Sequence, residues 1–137
     1  MAVLENLEPK RVFRFFEEMS AIPHGSFNTK TVSDWCVAFA QERGLEYYQD
    51  ETNNVIIIKE ASAGYESAEP VIIQGHLDMV CEKAVDCAKD MAKEGLDLAV
   101  DGDWVYAKGT TLGGDDGIAV AMALAALDDE SLPHPRL

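Results

Sequence analysis

The stretch VIIQGHLDMV, residues 71–80, decides how this chain is read. Three β-prone apolar residues and a glutamine run into Gly75. His76 follows at once, and Asp78 lies two positions further on. The continuous apolar run predicts a short strand over Val71–Gln74, buried on both faces. Side chains at i and i+2 point to the same side of a strand, so His76 and Asp78 would meet at its C-terminal end. Open α/β sheets place their ligands at that end. A metal-binding histidine also needs its second ring nitrogen held, and a nearby carboxylate does this. Taken alone, the pair fits equally a strand-end histidine capped by its own neighbour.

Working outward, Val12, Phe15, Phe16 and Met19 recur at helical spacing between Glu8 and Ile22, with Pro9 suited to the first turn and Pro23 and Gly25 ending the helix. Val32, Trp35, Cys36 and Phe39 repeat the pattern over Asn28–Arg43, where Gly44 is placed as a C-terminal cap. The same spacing makes Cys36 a core residue rather than a reactive thiol. Strands are expected at Leu45–Gln49 and Asn54–Lys59, joined by DETNN. Asp101-Gly102 between LDLAV and DWVYA signals a hairpin. An alanine-rich helix is expected from Ile118 to Leu127, with Asp115 and Asp116 at its start, where acidic groups suit the helix dipole. Alternating helices and strands predict an α/β class: an α/β/α sandwich with a mainly parallel mixed sheet. SLPHPRL ends where another strand is expected, so the sheet reads as incomplete and residues 1–137 as part of something longer. His134, in a P-H-P loop, is expected to be solvent-exposed. His24, in a turn, reads as structural before it reads as part of an active-site rim.

Composition narrows the function classes. With 137 residues, 47% hydrophobic and 26% charged, the chain has an ordinary soluble profile. Its net charge of -14 disfavours nucleic acid and anionic membranes as partners. Cys36, Cys81 and Cys87 form no C-x-x-C pair, so neither a disulfide framework nor a thiolate zinc site is indicated. Neither a signal peptide nor a membrane-spanning run is seen, and a cytoplasmic location is expected.

The second informative stretch is GTTLGGDDG, residues 109–117. Glycines at 113, 114 and 117 frame Asp115 and Asp116 and permit unusual backbone angles around them. A phosphate loop is excluded by the missing Gly-Lys-Ser/Thr, and no nucleophile elbow or H-E-x-x-H motif occurs. By itself the Asp pair could be a helix cap. Together, an imidazole and a carboxylate are ligands for zinc, manganese or cobalt, and a carboxylate can bridge two metals.

The two motifs also carry a resemblance. GHLDMV (75–80) resembles the G-H-x-D-x-V signature of the zinc-dependent aminoacylase/dipeptidase metallopeptidase family. GTTLGGDDGIAVAMALA (109–125) resembles its second signature, 39 positions on when His76 is compared with Asp115. RVFRFFEEMSAIPHGSFNT and VSDWCVAFAQERGLE are similar as well. The resemblance implies that His76 ligates a metal, that Asp78 is the catalytic aspartate orienting it, and that Asp115 bridges two divalent metals. These would be zinc, with manganese or cobalt as alternatives. Asp116 would be joined to Asp115 by a cis peptide, with Gly113 and Gly114 making room. The implied activity is hydrolysis of dipeptides of the Xaa-His type by a metal-activated water. Residues 1–137 would form the N-terminal portion of the catalytic domain. The remainder of that domain, with the general-base glutamate, further ligands and a lid domain, would lie elsewhere, so this portion alone is expected to be inactive. The expected partner is a dipeptide substrate, and the resemblance leaves room for a homodimer of the full-length protein. Two other readings stay open: a non-enzymatic α/β module, and a related aminoacylase or tripeptide aminopeptidase.

Overall fold

The computed structural model describes residues 2–137 and gives the order α1 (Lys10–Ser20), α2 (Lys30–Glu42), β1 (Glu46–Gln49), β2 (Val55–Ile58), β3 (Leu98–Asp101), β4 (Trp104–Ala107) and α3 (Gly114–Asp128). The helices form where apolar residues recur every three to four positions. On α1, Val12, Phe15, Phe16 and Met19 are all buried. On α2 the buried set is Val32, Ser33, Cys36, Phe39 and Ala40. Helix α1 packs on α3, and α2 lies against β1 and β2. The core joins these faces through Phe15, Phe16, Val32, Phe39, Val120 and Leu124. Phe15 meets Phe39 edge to face, with ring centroids 5.4 Å apart, the arrangement that the ring quadrupoles favour.

Three polar devices hold this layer together. Asp128, at the end of α3, faces Arg11 (2.8 Å), Arg14 (3.3 Å) and Arg43 (2.7 Å) from the other two helices. Partial burial acts to raise the Asp128 pKa, but these guanidinium groups, Arg43 first, outweigh it and hold the carboxyl below its usual range. The Arg43 guanidinium also stacks 3.8 Å from the Phe39 ring centroid. The third device is the buried Lys59, whose Nζ donates to the Leu127 carbonyl at 2.8 Å and so satisfies an orphan acceptor at the C-terminal end of α3.

The mixed α/β class is as expected, but the mainly parallel sheet is not what forms. Among the described residues the named strands make two two-stranded antiparallel sheets, β1–β2 and β3–β4. The reason is connection length. Each pair is joined by a short turn, which only antiparallel neighbours allow. Asp101 pairs with Trp104 across the two-residue Gly102-Asp103 turn of the expected hairpin.

Val71–Gln74 also departs from its reading. It is not a ladder strand, and Val71, Ile72 and Ile73 are 47%, 90% and 47% exposed. An open cleft of about 830 Å³ lies along it, lined also by Val55 and Ile57 of β2 and Leu124 of α3. Among the described residues only the far end of this seam is bridged. Lys59 and Leu137 exchange backbone hydrogen bonds of 2.9 Å each, and Val71 N–H donates to the Arg136 carbonyl at 2.9 Å. Among the described residues no neighbour lies further along the seam, so the apolar side chains of residues 71–73 stay exposed.

His134 is buried rather than solvent-exposed. Its backbone N–H donates to Ser62 Oγ at 2.9 Å, and its carbonyl accepts the Ser62 N–H at 3.0 Å. This tertiary pairing pulls the P-H-P loop inward.

Candidate active site

Three segments far apart in sequence converge on His76. The first is the extended chain through Gly75. It brings His76 against the start of α3, where the backbone N–H of His76 donates to Asp116 Oδ2 at 3.2 Å. Gly75 is required by this approach, because a Cβ there would lie 2.9 Å from the same oxygen. Asp116 therefore ties one motif to the other through a backbone bond.

The second segment is the turn into α3. Gly113 occupies the left-handed region at φ 71°, and the Asp115–Asp116 peptide is cis. Asp115 and Asp116 have non-helical dihedrals, so the regular helix begins after them. This aims the Asp115 carboxylate at the imidazole, with Oδ1 at 3.0 Å from His76 Nε2. The Asp115 side chain is otherwise almost fully exposed, leaving its remaining lone pairs free.

The third segment is the loop between α1 and α2. Met79 N–H donates to the His24 carbonyl at 3.0 Å, and Ser26 N–H donates to the Met79 carbonyl at 3.2 Å. The Ser26 hydroxyl donates to Asp78 Oδ2. Asp78 Oδ1 lies 3.1 Å from His76 Nδ1, and the Asp78 backbone carbonyl lies 2.9 Å from the same nitrogen. The imidazole is therefore flanked by acceptors at both nitrogens.

These contacts set the electrostatics. The hydrogen bond that Asp115 accepts from the ring, above all, raises the His76 pKa, against a smaller effect of lost hydration. The Ser26 hydroxyl, followed by the His76 charge, holds Asp78 below the usual carboxylate range against its partial burial. His24 is buried, and that burial lowers its pKa even though its Nδ1 bonds the Ile22 carbonyl at 2.7 Å. It is structural in its contacts.

The donor chemistry suits a divalent metal in part. Two donors of one tetrahedral zinc, with bonds of ~2.0 Å, sit roughly 3.3 Å apart, close to the 3.0 Å between Nε2 and Oδ1. Nδ1 is engaged by Asp78, which leaves Nε2 as the outward donor. Among the described residues no group of three His, Cys, Asp or Glu side chains could hold an ion. His76 and Asp115 make two candidate donors, and a zinc site needs at least one more from protein.

The residues named from sequence are thus placed together: Asp78 and Asp115 each in contact with His76, on opposite ring nitrogens, Asp116 and Gly113 beside them, and Gly114 in the turn. Sequence reasoning missed Ser26, Gly75 and Met79. The partner of Ser26 is 52 residues away, and no local pattern reports that distance.

Known proteins share this arrangement of elements. The chain is 40% identical over 134 residues to a cytosol non-specific dipeptidase of Escherichia coli. That alignment covers 98% of this chain and 28% of the relative. It superposes on the crystal structure of an aminoacylhistidine dipeptidase from Vibrio alginolyticus with a TM-score of 0.94 and 37% identity, over 97% of this chain and 27% of the other. The likeness is to dipeptidases. A tripeptidase from Staphylococcus aureus, at 20% identity and a TM-score of 0.71, shares the fold over 93% of this chain and 34% of its own. No protein-family model matches. The resemblance read from the two motifs thus runs through nearly the whole chain, which spans little more than a quarter of either dipeptidase. Among the described residues no helix is long and apolar enough to cross a membrane.

Proposed function

We propose that this chain is the N-terminal portion of the catalytic domain of a di-metal dipeptidase acting on Xaa-His dipeptides. The observation that carries the reading is the contact of His76 with Asp115 on one nitrogen and Asp78 on the other, at 3.0 and 3.1 Å. His76 and Asp115 would hold metal, with Asp115 free to bridge a second ion through its exposed oxygen. Bound metal would polarise the scissile carbonyl and lower the pKa of a water. This chain's own contribution is orientation. Asp78 keeps the proton of the neutral imidazole on Nδ1, which leaves Nε2 as a lone-pair donor. The Asp116 carboxylate fixes the backbone that carries the ring.

Two observations support the domain reading. The chain spans 28% of the E. coli dipeptidase. Among the described residues the seam between β2 and residues 71–75 is bridged only at Lys59–Leu137 and Val71–Arg136. Those bonds set a register in which one more strand would run antiparallel to β2 and parallel to residues 71–75, forming a mixed sheet. The third and later ligands and the general base would come from beyond this portion.

The test is hydrolysis of β-alanyl-histidine by the full-length protein loaded with zinc, manganese or cobalt. Turnover that is lost on chelation and in His76→Ala and Asp115→Ala supports the reading. No turnover of any dipeptide with any of the three metals overturns it in favour of a non-enzymatic module.

A further inference from the structure

Resting on the dipeptidase reading, we propose that Ser26 is a positioning residue for the site, acting on His76 through Asp78. Asp78 is an awkward orienter if left alone. Its side chain is 40% exposed, and the terminal carboxylate torsion of an aspartate is broad and two-fold. One oxygen must be pinned for the other to stay on the ring. The Ser26 hydroxyl pins Oδ2, which leaves Oδ1 at 3.1 Å from His76 Nδ1.

Ser26 is itself held at three points. Its N–H bonds the Met79 carbonyl, Gly25 bridges Met79 in parallel register, and Asn28 N–H closes the turn onto the Gly25 carbonyl at 2.8 Å. Asn28 Nδ2 anchors the far side of the turn on the Ala92 carbonyl at 3.1 Å. The hydroxyl is thus delivered by a fixed backbone rather than by a mobile loop.

The need for such a device comes from the other face of the ring. Asp115 Oδ1, at 3.0 Å from Nε2, favours the opposite tautomer, with the proton on Nε2. That tautomer has no lone pair to offer a metal. With Ser26 in place, both acceptors of Asp78 bear on Nδ1 together. Without it, the carboxylate rotates into water and only the backbone carbonyl at 2.9 Å remains. A hydroxyl that never touches substrate therefore sets which nitrogen faces the metal.

The test uses Ser26→Ala and Ser26→Thr in the full-length protein, with two readouts. In metal-free protein, about two pH units above the ordinary histidine value, ¹⁵N shifts of His76 report the tautomer. The Ser26→Ala variant is expected to move toward Nε2–H while Ser26→Thr stays with the parent. In zinc-loaded protein, kcat for β-alanyl-histidine is expected to fall roughly tenfold or more in Ser26→Ala, the usual cost of losing a partner behind a metal ligand, with KM little changed. Ser26→Thr should restore most of it. An unchanged tautomer in Ser26→Ala overturns the proposal whether or not the protein turns over dipeptide. An unchanged kcat in an active parent overturns it as well. Loss in both variants together with a fall in unfolding midpoint would make Ser26 merely structural, and also overturns it.

Discussion

Replacing Gly113 by alanine tests the turn that places Asp115. Gly113 has φ 71°, a left-handed conformation that costs an L-residue about 1–2 kcal/mol. A Cβ built there would lie 2.8 Å from Met79 Sδ and 3.2 Å from Met79 Cβ. The sulfur end of Met79 can swing aside, but its Cβ cannot. Met79 is only 3% exposed, and its backbone is paired with His24 and Ser26. Pushing it away costs about another 1–3 kcal/mol, the usual range for overpacking. The two contributions give a destabilisation of about 2–5 kcal/mol, which for a chain of this length lowers Tm by about 10 °C. Urea unfolding followed by tryptophan fluorescence measures it. A double-mutant cycle separates the two causes. In a Met79→Gly background, which removes the Cβ as well as the sulfur, the steric part should shrink, while the backbone part of about 1–2 kcal/mol persists. A loss below about 1 kcal/mol for Gly113→Ala, or the same loss in both backgrounds, would refute the reasoning.

Other expectations follow from single contacts. Lys59→Met removes the donor that caps Leu127 and leaves that carbonyl unpaired at the end of α3. A cost of about 2 kcal/mol is expected, the range for a hydrogen bond to a charged group, read as a lower urea midpoint at unchanged m-value. Asp50 accepts bonds from Asn54 and Thr52, which hold its pKa down to about 2 from 3.8. Its folded pKa lies below the unfolded one, so its contribution to stability is present above about 3.8 and is lost as pH falls through about 2. NMR titration of the Asp50 carboxyl should show that midpoint, and Asp50→Asn should flatten the acid limb of stability against pH. Burial pushes the Cys36 thiol up to about 12, whereas Cys81 is exposed. Thiol reagents should label Cys81 in the native protein and reach Cys36 only on unfolding; equal labelling rates for the two would contradict the packing of α2.

How much was legible in the sequence differs from element to element. Helices α1 and α2 follow from periodicity because burial of one helix face is a property of spacing within a window of a few turns. The β3–β4 hairpin follows from Asp101-Gly102 for the same reason, since the turn chemistry is local. Residue types alone left His76, Asp78, Asp115 and Asp116 open to local capping, and it was the family resemblance of the two motifs that implied one shared site. Val71–Gln74 shows the limit. A run of apolar residues states that burial is favourable and says nothing of what will cover it. In this structure it borders an open seam.

Sequence by itself therefore determined the helices, the hairpin, the α/β class and the identity of the chemical groups at the site. Tertiary structure alone decided which strands pair, why His134 and Lys59 are buried, and that Ser26 holds Asp78. The physical reason is the range of the interactions. Local pattern reports the cost and gain of a segment's own conformation. The Ser26–Asp78 and His76–Asp115 contacts close loops of 52 and 39 residues and exist only once the core of α1, α2 and α3 has brought their ends together.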